Sequence, residues 1–264
     1  MRLHRFYISP EDFSPKSGLS KETHQEIHIG DAGKSEEGSD HERLIHQWRD
    51  IFRFGAGDRV LLFNKEAGEW LAEFISLDKK KGAVLKVIEQ NLAEIVGIDR
   101  FIPQKNITLY MAIIKNSNFD LVVEKATELG VSKIVPIVTE RTVKSGLNFE
   151  RLRKLTIEAS EQSGRIDITE ISEIINLDNA LSDAKQLIEN KSAFFGYISR
   201  EEVGFVETKS SDVAPVALFI GPEGGWTDEE VIKFADAGVI PLTLGQFVLR
   251  AETAAIVGVG MLAR

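Results

Sequence analysis

The sequence predicts an α/β protein in two parts, a small β-rich unit over residues 1–100 and a parallel sheet flanked by helices over 101–264. Three observations carry this. Short β-rich runs joined by turn-like stretches crowd the first hundred residues. From about residue 104, strands alternate with helix-length amphipathic segments, the order that builds a parallel sheet covered on both faces. The 264 residues are 43% hydrophobic, enough for one or two domains with a real core.

In the first part, VLLFN (60–64), WLAEFISL (70–77) and AVLKVIE (83–89) read as strands, parted by KEAG (65–68) and DKKKG (78–82). Such runs with turns between them predict a small antiparallel sheet or barrel. DHERLIHQWRDIF (40–52) reads as a short helix, with Asp40 as its cap and Leu44, Ile45, Trp48 and Phe52 on one face. Residues 14–40, rich in Ser, Gly, Lys, Glu and Asp, read as a long loop.

In the second part, NITLYMAII (106–114), KIVPIV (133–138), AFFGYI (193–198), VALFIG (216–221) and VIPLTLG (239–245) read as strands. FDLVVEKATELG (119–130) reads as a helix: Phe119, Val122, Val123, Ala126 and Leu129 form its apolar stripe and Gly130 ends it. FERLRKLTIEASEQS (149–163) is a second helix, and a last one begins near Ala251.

Composition removes several functions. The chain has no cysteine, so disulfides, thiolate metal sites and a cysteine nucleophile are excluded. No metal site is expected: His24 and His28 have helical ligand spacing but no third partner is evident. No apolar run is long enough to span a bilayer. The start, MRLHRFYISP, lacks the apolar core of a secretory signal, so cytoplasm is the expected location. A net charge of -9 argues against a protein coated in basic charge, but not against a local basic patch that binds RNA.

The segment FIGPEGGWTDEEV (219–231) raises the question of a ligand, because ligands of open parallel sheets sit beyond the carboxyl ends of strands. A Walker loop would need lysine and a hydroxyl in G-x-x-x-x-G-K-[ST], and a dinucleotide loop would need G-x-G-x-x-G; neither is present. The next helix starts TDEE, with Thr227 as N-cap and Glu230 completing a capping box. Its acidic first turn opposes a polyphosphate. A nucleoside cofactor without phosphate fits better, and S-adenosylmethionine (AdoMet) is one. A second glycine turn, LGQFVLRAETAA (244–255), places Arg250 and Glu252 at the start of the last helix.

GPEGG before a capped acidic helix, followed by LG-x-x-VLR-x-ETA, resembles the RsmE family. Its members are bacterial uridine-N3 methyltransferases of small-subunit (16S) ribosomal RNA, within the knotted SPOUT superfamily. EKATELGV (124–131), SEQSGR (160–165), RFY (5–7) and IFRFGAGD (51–58) are similar to further family segments, so the likeness covers nearly the whole chain. The resemblance implies a SPOUT-type sheet tied in a deep trefoil knot, a PUA-like RNA-binding β-barrel before it, and AdoMet bound at a homodimer interface. It implies a cofactor pocket built from Ile220, Gly221, Pro222, Glu223, Gly224, Gly225, Leu244, Gly245, Leu249 and Ala251. The expected partner is small-subunit ribosomal RNA within an assembled particle.

Without cysteine, attack on a pyrimidine ring carbon is disfavoured and the methyl acceptor is expected to be a heteroatom such as uridine N3. All five histidines, at positions 4, 24, 28, 41 and 46, lie in the first part, so the base in the second part is sought elsewhere. Glu252 is the candidate base, and Arg250 and Arg165 are candidates to stabilise charge developing on the uridine oxygens. Arg2, Arg5, Arg49 and Arg53 are candidate RNA phosphate contacts. Two other functions remain open: a SPOUT methyltransferase acting on tRNA or a ribose 2′-hydroxyl, and a non-catalytic RNA-binding factor on the same fold.

Overall fold

The computed structural model describes residues 3–13, 25–30, 40–79, 81–90, 106–143, 146–197 and 215–263. The chain divides into two compact units, Met1–Arg100 and Phe101–Arg264.

The first unit holds β1 (Arg5–Tyr7), β2 (Glu26–Ile29), α1 (Asp40–His46), β3 (Arg59–Asn64), β4 (Gly68–Asp78) and β5 (Gly82–Gln90). The sheet order is β1-β3-β4-β5-β2. Pairing is antiparallel except for β1 against β3, which run parallel. The core is aromatic: Phe6 meets Trp48 edge-on at 5.7 Å, and Trp48 meets Phe74 at 5.2 Å.

Two features differ from expectation. Residues 26–29, placed in a long loop by composition, form β2 against β5. Ile27 and Ile29 point into the core while Glu26 and His28 face outward, an alternation too short to stand out in a polar stretch. The remainder of that predicted loop, with His24, lies outside the described residues apart from positions 25, 30 and 40. The predicted helix 40–52 is also not uniform. Asp40 is its first residue rather than its cap, and a π-type turn, Gln47–Ile51, follows α1.

In the second unit, β6 (Ile107–Ala112), α2 (Asn116–Glu128), β7 (Val131–Val138), α3 (Phe149–Ser163), β10 (Ala193–Gly196), β11 (Val216–Ile220), α6 (Asp228–Ala237), β12 (Ile240–Leu242) and α7 (Ala251–Leu262) follow the predicted alternation. Short elements that patterning did not isolate fill the interval after α3: β8 (Glu170–Ile171), β9 (Ile175–Asn176), α4 (Leu177–Asp183) and α5 (Lys185–Glu189). The sheet runs β12-β10-β11-β6-β7-β8, with β9 also on β7, and every pairing is parallel.

Alternation along the strands gives the sheet two cores. Leu109, Met111, Leu218 and Ile220 face α2, α3 and α7, where Phe119, Val122, Leu152, Ala255 and Val259 pack. Tyr110, Ala112, Ala217 and Phe219 face α4, α5 and α6, where Ala180, Ile188 and Phe234 pack. Helices on both faces leave the strand ends as the open place for a ligand.

Candidate active site

Parallel register brings three strand ends together: Phe195 lies opposite Phe219 on β11, and Gly196 opposite Leu242 on β12. The loops after β10, β11 and β12 therefore leave the sheet side by side. Between them is a cavity of about 600 Å³, lined by residues 196–197, 220–223, 225–226, 244–245, 247–252 and 254, with Asn118 from the first turn of α2. That size lies within the usual range for a small-molecule site.

The first wall is the GPEGG loop. Gly225 donates to the Pro222 carbonyl at 2.9 Å and has φ of +69°, in the left-handed region that a side chain disfavours. Gly221 allows a close approach instead. A Cβ there would come within 3.0 Å of the Trp226 indole, which closes the cavity behind it. Trp226 is fixed in turn, its Nε1 donating to the Gly196 carbonyl at 3.0 Å. The predicted capping box is present: Thr227 Oγ1 accepts from Glu230 N, and the Glu230 carboxylate accepts from Thr227 N at 2.9 Å.

The second wall is the turn after β12, which is a strand only to Leu242 rather than to residue 245. It carries Phe247 and Val248, 74% and 79% exposed. At its end Arg250 is extended and exposed, and its carbonyl accepts from Ala254 N at 2.8 Å to start α7. Glu252 is only 8% exposed and lines the cavity, and its carboxylate has no hydrogen bond or ion pair among the described residues.

Of the ten residues expected to form the cofactor pocket, nine line this cavity: Ile220, Gly221, Pro222, Glu223, Gly225, Leu244, Gly245, Leu249 and Ala251. Gly224 does not; it sits against the Arg141 side chain. Asn118, Gly196, Tyr197, Trp226, Phe247, Val248 and Ala254 were missed. Trp226 follows the glycine loop directly and carried a signal, whereas Gly196 lay inside the strand predicted over 193–198, which in the structure ends at Gly196. Asn118 depends on the packing of α2 and carried none.

Arg165, expected beside the reacting base, is elsewhere. It is 6% exposed, and its Nη1 donates to the carbonyls of Thr127 and Val131, both at 2.8 Å, while Nε pairs with Asp167 at 3.0 Å. It ties the end of α2 and the start of β7 to the chain after α3, and does not line the cavity. A buried guanidinium needs such partners, which is why it is held here.

The four arginines assigned to RNA differ equally. Arg5 pairs with Glu69 at 2.7 Å and lies 4.3 Å over the Phe63 ring, so it braces the sheet. Arg49 is bound to Asp50 at 2.6 Å. Arg53 is exposed, with φ of +58° and no side-chain partner among the described residues. Arg2 lies outside the described residues. The described residues contain no group of three or more His, Cys, Asp or Glu placed to hold a metal, and no helix long and apolar enough to cross a membrane.

The comparisons with known proteins agree with this geometry. An RNA methyltransferase domain family matches residues 102–263, and an RNA methyltransferase PUA domain matches 50–88. The two parts of the chain are thus those of an RNA methyltransferase with a PUA domain. A ribosomal RNA small subunit methyltransferase E from Rickettsia conorii is 31% identical over 233 residues, 88% of this chain and 90% of that one. The Synechocystis protein of the same name is 27% identical over 83% of this chain and 70% of its own. The chain belongs to the ribosomal RNA small subunit methyltransferase E family. A Legionella pneumophila methyltransferase in complex with SAM superposes with a TM-score of 0.76 at 26% identity, over 99% of this chain and 97% of that one. The same fold recurs in the Neisseria gonorrhoeae methyltransferase E bound to S-adenosyl methionine, at TM-score 0.78, 23% identity, and 99% and 97% coverage.

Proposed function

We propose that this chain methylates N3 of a uridine in small-subunit ribosomal RNA, with AdoMet as methyl donor. One observation carries the reading: a cavity where two glycine turns meet at the strand ends, with a buried, unengaged carboxylate in its wall.

The lining fits AdoMet better than a phosphate cofactor. It contains one cation, Arg250, against two carboxylates, Glu223 and Glu252, and no lysine. That balance opposes phosphates and suits a cationic sulfonium. Residues 220–223 and 225 would hold the cofactor from one side, and 244–245, 249 and 251 from the other. When bound, the cofactor supplies an electrophilic methyl group. The chain's own residues prepare the acceptor. Glu252 takes the uridine N3 proton, directly or through a water, and Arg250 donates to O2 or O4 as charge moves there.

Arg53 is the RNA phosphate contact that the geometry favours, since strain held at an exposed arginine points to use. Its change to alanine should lower the salt slope of RNA binding by about one; an unchanged slope removes it. The exposed Phe247 and Val248 at the cavity rim support a homodimer. The placement of α7, which follows edge strand β12 yet packs on β11 and β6, supports a threaded, knotted C-terminus. A net charge of -9 favours a shaped ribosomal particle in the cytoplasm over naked RNA as substrate; equal rates on both would contradict this.

Mass spectrometry of small-subunit RNA from cells lacking this chain tests the function. Loss of one 3-methyluridine is expected. Loss of a 2′-O-methyl group instead, a change confined to tRNA, or no loss at all would overturn it.

A further inference from the structure

The turn Thr139–Thr142 lies after β7, two strands away from β11 in the sheet, and none of its residues lines the cavity. It is nonetheless the main external support of the cavity's first wall. The turn is closed on itself: Thr142 N donates to the Thr139 carbonyl at 3.1 Å, and Thr139 N to Thr142 Oγ1 at 3.0 Å. From this base Glu140 N donates to Glu230 Oε1 at 2.9 Å, and Thr227 Oγ1 donates to Glu140 Oε2 at 3.1 Å. Arg141 reaches further. Its Nη1 donates to the carbonyl of Gly224 at 2.9 Å and to that of Trp226 at 3.1 Å. Its aliphatic stem lies where a Cβ on Gly224 would come within 3.2 Å of it.

The consequence follows from which peptide groups are held. The 224–225 peptide is fixed at both ends, its carbonyl by Arg141 and its N–H by the Pro222 carbonyl. The 226–227 peptide is likewise fixed, its carbonyl by Arg141 and its N–H by Glu230. Between them lies the 225–226 peptide. Its carbonyl and N–H have no partner among the described residues, and both of its residues line the cavity. A single guanidinium thus orients the two flanking peptide planes and leaves the middle one free to bind a ligand. Preorganised backbone donors and acceptors of this kind bind well because they are ordered beforehand.

We propose that Arg141 is a positioning residue for the cofactor: it sets the 225–226 peptide for the adenosine part of AdoMet without touching the cofactor itself. The inference rests on the AdoMet reading of the cavity. Lysine can donate to the same carbonyls, though without a planar fork.

Calorimetric titration of the full-length protein with AdoMet, beside thermal melting, tests it in wild type, Arg141→Ala and Arg141→Lys. The alanine variant should bind about tenfold more weakly, as expected for charged donors lost from two carbonyls. Its melting temperature should stay within about 2 °C of wild type, since the residue is exposed, and lysine should recover most of the affinity. With RNA and AdoMet together, KM for AdoMet should rise while kcat at saturation changes less than about threefold. Unchanged affinity in Arg141→Ala overturns the proposal. So does a loss of affinity matched by a large fall in melting temperature and not rescued by lysine. A rise in KM for RNA alone would make Arg141 a phosphate contact and overturn it as well. If wild type itself takes up no AdoMet, the cofactor reading fails first, and the two failures are told apart by the wild-type trace.

Discussion

The two walls of the cavity are built differently. The loop over 221–227 is held by its own turn, by a capping box, by Lys115 N donating to Glu223, and by the turn over 139–142. The turn over 244–249 makes no hydrogen bond among the described residues, and two of its apolar side chains stand in solvent. One wall is tied into the rest of its chain by hydrogen bonds and the other, among the described residues, is not. A ligand-binding surface whose second half is bare is a surface that waits for its ligand, for a second copy, or for both.

Four variants break or sharpen that contrast. The largest effect is expected at the end of the bare wall. Glu252→Gln should lower kcat by about 10²–10⁴ while AdoMet affinity stays within about threefold, because the change removes a base and keeps the shape. Steady-state kinetics with calorimetry checks this, and an equal loss of both would make Glu252 a structural residue. Next is the firm wall. Gly221→Val drives a branched side chain into the Trp226 indole, and overpacking of about 1–3 kcal/mol should weaken AdoMet binding by up to about a hundredfold. Normal binding by this variant would show that the wall yields. Third, Phe247→Ser with Val248→Ser should shift a dimer to monomer in sedimentation and weaken AdoMet by about tenfold. A monomeric wild type, or a variant that still dimerises, ends the case for a second copy. Smallest is Thr227→Ala, which removes the cap and should lower the melting temperature by about 2–4 °C with affinity nearly kept. A large loss of affinity here would mean that the firm wall depends on the Thr227 hydroxyl, which joins the cap to Glu140 of the turn over 139–142, more than on Arg141.

Much of the site was legible because its chemistry is local. Glycines at the ends of apolar strands, a capping box three residues later and a carboxylate opening an apolar helix can all be read along the chain. What was not legible depends on strand order. Arg141 lies 83 residues from Gly224, and no spacing rule links them. Arg165 follows a helix end and was expected in the site, yet the turn after α3 carries it under α2 and β7, where two carbonyls hold its Nη1 and Asp167 pairs its charge. In the fold, long periodic elements such as α3 were plain, whereas β2, β8 and β9 have two to four residues each, too few to show a period. The π-type turn that seats Trp48 has no sequence signature, because tertiary packing decides it.

Trp226 has a use beyond holding the wall. Of the three tryptophans, Trp48 and Trp70 are buried in the first unit, whereas Trp226 borders the cavity with its ring edge anchored at Gly196. Ultraviolet emission from this one indole is expected to change when the cavity fills, while the other two give a steady background. The molecule carries its own dye, and inhibitors of this cavity can be screened by light alone, without label or RNA.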